Sequence, residues 1–120
     1  MNFNWDEYLD LARALAKLPN LGVSAEALLR CALSRAYYAA FCHARNYARD
    51  RHGLLPRYNG DDHSLVKNHF RTRRAQGVAL KLDKLRKMRN QCDYADAVID
   101  LPKLLPIALV EAQMVIAILK

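Results

Sequence analysis

The sequence is poor in residues that break or staple a chain. Four glycines and four prolines in 120 residues exclude collagen-like, linker-like and low-complexity organisation. Cysteine is scarce and odd in number. Cys31, Cys42 and Cys92 contain no C-x-x-C pair, so neither a zinc ribbon nor a thioredoxin-like motif is available. Cys31 and Cys42 fall in one predicted helix, about 16 Å apart along its axis, too far for a disulfide. All three read as small buried hydrophobes of a reducing compartment. There is no Gly-rich phosphate loop, no Ser-x-x-Lys, no H-E-x-x-H and no carboxylate cluster, which argues against a P-loop enzyme or a metal-dependent hydrolase. No metal or other cofactor is expected. No apolar run reaches the roughly 18–20 residues that span a bilayer. The start, Met1-Asn2-Phe3-Asn4-Trp5-Asp6-Glu7, has neither the basic beginning nor the apolar core of a signal peptide. The expectation is a cytoplasmic protein without a membrane partner, folded as one domain over residues 1–120.

What is present is positive charge, unevenly placed. The net charge is +7, but residues 30–89 carry net +11, while residues 1–29 and 90–120 carry −2 each. The middle of the chain therefore makes a basic surface, which suits a polyanion such as nucleic acid or a nucleotide.

The periodicity is helical throughout, and no strand pattern or repeat appears. Trp5, Tyr8, Leu9, Ala12, Leu15 and Ala16 recur at spacings of three and four, giving a helix over 3–18, capped by Asn2 or Asn4 and broken by Pro19-Asn20-Leu21-Gly22. A long helix spans 24–51, with Ser24 as N-cap and Gly53 as stop. Asp61 caps a third helix that runs to about Gln76 and ends at Gly77. A fourth covers 78–94, with Leu82, Leu85 and Cys92 on one stripe. Asp100 caps a last helix, with Pro102 in its first turn; Pro106 implies a later start or a kink. Residues 107–119 are apolar nearly all round, as at the centre of a bundle or a subunit interface. The expected fold is all-α, an up-and-down bundle of four to five helices with one long central helix.

Two arginines interrupt apolar stripes. Arg35 shares a face with Leu28, Ala32, Ala39 and Cys42, and Arg89 shares one with Leu82, Leu85 and Cys92. An arginine taken out of water needs a counter-charge or strong acceptor. Asp93 could supply it, to Arg89 along the helix or to Arg35 across helices. Alternatively, Arg35, Arg86 and Arg89 line a cleft and hold a phosphate, which suits the guanidinium fork. His43 and His52 read as surface or interface residues. His63 and His69 fall on nearly opposite helix faces and make no metal pair. Tyr37, Tyr38, Phe41 and Tyr47 read as core. Arg71-Thr72-Arg73-Arg74 reads as a solvated helix end with the capacity for phosphate contacts.

The string Ala32-Leu33-Ser34-Arg35-Ala36-Tyr37-Tyr38-Ala39-Ala40-Phe41 resembles the signature helix of the HEPN-domain family (higher eukaryote and prokaryote nucleotide-binding). Asp62-His63, then Leu82-x-x-Leu85-Arg86-x-x-Arg89-Asn90-x-x-Asp93-Tyr94, then the apolar last helix agree in order. The resemblance covers roughly residues 5–119. It implies an all-α bundle, usually a homodimer, found in toxin–antitoxin and phage-defence systems, often beside a minimal nucleotidyltransferase that acts as antitoxin. Many members are metal-independent ribonucleases with an Arg, four to six residues, His motif. Arg89 and Asn90 match its start. Its histidine would fall at 94–96, which read Tyr94, Ala95 and Asp96, and no histidine follows His69. This chain is thus similar to the Asp-Tyr variants of the family, which resemble binding or partner modules. Were it to cleave RNA, the cations would come from Arg35, Arg86 and Arg89, and the base would be His63 or a perturbed Tyr94. Three readings follow: an RNA- or nucleotide-binding module with weak or no nuclease activity, an active ribonuclease toxin, or a structural dimerisation and docking module.

Overall fold

The computed structural model describes residues 2–18 and 22–120. Among these the chain is all-helical, with α1 (Glu7–Lys17), α2 (Ala25–His52), α3 (Asp62–Thr72), α4 (Gln76–Tyr94) and α5 (Leu101–Ile118). The 28-residue α2 packs against each of the other four. Its middle is buried and, Leu33 apart, small or aromatic: Ala32, Leu33, Ala36, Tyr37, Ala39, Ala40, Phe41, Cys42, Ala44 and Ala48. The alanines let neighbouring helices approach closely, and the core fills from Val66 and Phe70 of α3, Leu82 and Leu85 of α4, and Leu105 and Val115 of α5.

Local signals explain most boundaries. The Ser24 hydroxyl accepts from the Ala27 N–H at 3.1 Å, and Gly53 ends α2 at φ 71, a left-handed conformation natural to glycine. α1 begins later than its periodicity suggests. Phe3, Trp5 and Tyr8 pack edge to face with centroids 4.9–5.5 Å apart, and the Asn4 side chain accepts from the Asp6 N–H, so the lead-in is a turn. The expected break at Pro19, Asn20 and Leu21 lies outside the described residues.

Four expectations are corrected. α3 ends at Thr72, not Gln76, because Arg74 turns left-handed (φ 62) and the Ala75 N–H bonds back to the Phe70 carbonyl at 2.9 Å. Gly77 therefore lies in the first turn of α4. Asp61 and Asp100 precede their helices without side-chain caps; at Asp100 the carbonyl instead accepts from the Lys103 and Leu104 N–H groups. Cys31 is exposed, because the first turns of α2 reach past the core, whereas Cys42 and Cys92 are buried. α5 is 18 residues long with mean hydropathy 1.7, enough by length and composition to cross a membrane, a test that the core helix of a soluble protein also passes; Lys103 and Glu111 interrupt its apolar run. It starts at Leu101 and carries Pro106 inside it. One face is buried through Leu105, Ala108, Ala112 and Val115; Ile107, Val110, Met114 and Ile118 form an exposed apolar stripe.

Candidate functional site

The seven residues singled out from sequence line one cleft of about 790 Å³, a volume in the range of ligand sites. Arg35 comes from α2, His63 from α3, and Arg86, Arg89, Asn90, Asp93 and Tyr94 from α4. Sequence reasoning missed much of the remaining wall. Tyr38, Cys42 and Arg45 continue the Arg35 stripe along α2 at helical spacing, a signal that was legible. Trp5, Tyr8 and the loop residues Tyr58, Asn59 and Gly60 arrive by tertiary placement.

Guanidiniums and aromatic rings alternate across this wall. Arg35 lies 5.0 Å from the centroids of both Tyr8 and Tyr38, and Arg89 lies 5.0 Å from Tyr38 and 5.5 Å from Tyr94. Cation–π attraction holds the planes in order. Of the expected cores, Tyr37 and Phe41 are buried, while Tyr38 and Tyr47 are half-buried and Tyr38 faces the cleft.

The carboxylates are already committed. Asp93 pairs with Arg89 along α4, with Nε and Oδ2 2.8 Å apart, and it accepts from the Ser34 hydroxyl at 3.2 Å. Arg35 meets Asp93 only through that hydroxyl, donating to Ser34 Oγ at 3.3 Å. Arg89 also donates to the Tyr38 hydroxyl at 2.7 Å and to Asn90 Oδ1 at 2.9 Å. Asp62, 1% exposed, accepts from the Arg57 and Tyr58 N–H groups at 2.8 and 2.7 Å. Arg86 stands outside these networks. It has no hydrogen-bond or ion-pair partner among the described residues, and its Nε is buried. Four guanidiniums thus share the cleft with two carboxylates; among the described residues only Arg89 of the four has an ion pair, and Arg86 alone has no hydrogen-bond partner either.

His63 sits among these cations. Its Nδ1 pairs with the Tyr37 hydroxyl, and its ring stacks on Phe41 at 4.5 Å. Burial, then Arg86 and Arg89, hold its pKa below the usual 6.5, so at neutral pH the imidazole is uncharged, as a general base requires. Burial raises the Tyr37 hydroxyl well above its ordinary range, leaving it a donor to Nδ1 or an acceptor from it. Cys42, pushed up to about 11 by burial, is a thiol and no nucleophile. Because His63 binds its proton less readily folded than unfolded, its contribution to stability is intact above pH 6.5 and declines as pH falls below it. Ring-proton NMR will place its midpoint below 6.5, and Arg86→Gln, which removes a neighbouring cation, will raise it. A midpoint at or above 6.5 in the unaltered protein contradicts this electrostatic picture.

The other histidines serve elsewhere. His43 is no simple surface residue: Nδ1 bonds Asp6 at 2.7 Å and Nε2 bonds the Leu119 carbonyl, joining the start of α1 to the end of α5. His52 and His69 pair at 2.8 Å. No group of three or more His, Cys, Asp or Glu able to hold a metal occurs among the described residues. Comparison with family models, curated proteins and solved structures finds no match to this chain.

Proposed function

We propose that the chain is a HEPN-like module whose cleft binds RNA or a nucleotide by its phosphate, with weak or no nuclease activity. The observation that carries this reading is Arg86, an arginine without a counter-ion beside Arg35 and Arg89 in a cleft whose carboxylates are spent. A phosphate oxygen is the acceptor such a fork suits. The unpaired Arg86 also weighs against a purely structural role, for which the Arg35–Ser34–Asp93–Arg89 network would suffice. The resemblance supplies the setting: a toxin–antitoxin or phage-defence system, a cytoplasmic homodimer of up-and-down bundles, and a minimal nucleotidyltransferase as partner. The exposed stripe of α5 offers one surface for a second copy or that partner.

His63 favours a second reading, a metal-independent ribonuclease. In it Nε2 takes the proton of a 2′-hydroxyl, the 2′-oxygen attacks phosphorus, and the 5′-oxygen leaves with a proton returned from the imidazolium. Arg86 and Arg89 stabilise the phosphorane. Tyr94, 75% exposed, is the less sheltered of the two base candidates.

Incubation with single-stranded and structured RNA in EDTA at low salt, beside Arg89→Ala, separates the readings. Binding that weakens steeply with salt, without cleavage, is the expected result. Cleavage abolished by Arg89→Ala in a variant whose circular dichroism shows it folded establishes the ribonuclease, and absence of binding at low salt removes both.

A further inference from the structure

At the loop end of the cleft, Tyr58 is held in place without being packed away. It is 62% exposed, yet its backbone is left-handed (φ 57), a conformation that a tyrosine keeps only where its surroundings over-determine it. Here they do. The Asp62 carboxylate grips the Arg57 and Tyr58 N–H groups, and Arg49 donates to the Tyr58 hydroxyl at 3.2 Å. The Arg45 guanidinium lies 5.1 Å from the Tyr58 ring and 5.5 Å from Trp5. Arg45 donates through Nε to Asn46 and has no carboxylate partner among the described residues. An exposed ring fixed at a cleft wall, beside a guanidinium plane and a tryptophan, contributes little to a core. It matches what unstacked nucleobases stack upon.

We propose that Tyr58, Arg45 and Trp5 form a nucleobase-stacking subsite, and hence that the ligand is a base-bearing single strand rather than bare phosphate or a duplex, whose bases are already stacked. This rests on the phosphate-cleft reading above and adds the second half of the ligand: phosphate at Arg86 and Arg89, base at Tyr58.

The test is fluorescence anisotropy in EDTA with a labelled six-nucleotide ribo-oligomer and an abasic strand of equal length and charge. The unaltered protein will bind the base-bearing strand about tenfold tighter. Tyr58→Gly removes the ring and suits the positive φ, so the loop keeps its conformation; it will erase that preference while leaving the abasic affinity unchanged. Tyr58→Phe will retain the preference. Equal affinity of the unaltered protein for both strands, or a preference that survives Tyr58→Gly, overturns the subsite and leaves the phosphate reading standing. Binding of neither strand overturns both.

Discussion

Replacing Arg86 by glutamine will weaken binding of a single-stranded ribo-oligomer by roughly 10- to 150-fold without loss of folding stability. The magnitude is that of a charged hydrogen bond, about 1.5–3 kcal/mol. Stability is spared because Arg86 bonds nothing among the described residues, and its buried Nε has no acceptor. Removing a half-buried cation that faces Arg35, Arg89 and a neutral His63 relieves repulsion. The salt dependence will become shallower by about 0.7 in the logarithmic slope, one phosphate contact on a single strand. Arg89 differs: its loss strips Asp93 of its ion pair and Tyr38 of its donor, so binding and stability fall together. Equal affinity of Arg86→Gln and the unaltered protein would put the phosphate elsewhere.

Asp62→Ala will destabilise the fold by about 2–4 kcal/mol, a fall of roughly 10 °C or more in Tm. The residue is 1% exposed and accepts two backbone N–H groups that nothing else satisfies. The alanine orphans both, releases the left-handed Tyr58, and removes an acid from the first turn of α3. Asp62→Asn will lose most of the same stability, since its amide nitrogen faces a donor. Thermal denaturation measures both variants. A change within 0.5 kcal/mol would mean that the loop's other bonds, from the Asp62 N–H to the Asn59 carbonyl and from the Asp61 N–H to Asn59 Oδ1, hold it alone.

The helices were legible because their signals are local. Ser24 and Gly53 cap α2 as their chemistry dictates, and Leu82, Leu85 and Cys92 are buried on the stripe that their spacing defines. The α3–α4 boundary was not legible. Arg74 takes the left-handed turn for which Gly77 is the better residue, and tertiary packing of Phe70 and Val78 overrides that preference. Cys31 shares the helix but not the burial of Cys42, since burial depends on where neighbouring helices end. At the site, the two arginines that break apolar stripes, Arg35 and Arg89, share a cleft with His63 from a third helix. Asp62 was read as part of a helix start. Its grip on the loop, and the placement of Tyr58 that follows, depend on a chain reversal that no periodicity encodes.

The proposed phosphate site can be tested directly. Arginine Nε–H NMR signals, assigned by substitution, would be followed while a six-nucleotide single-stranded RNA is titrated in EDTA. Saturable shifts of Arg35, Arg86 and Arg89, accompanied by the His63 ring, are predicted, with Arg71, Arg73 and Arg74 at the exposed end of α3 unchanged. Shifts confined to those three, with the cleft arginines unmoved, would contradict the phosphate-cleft reading.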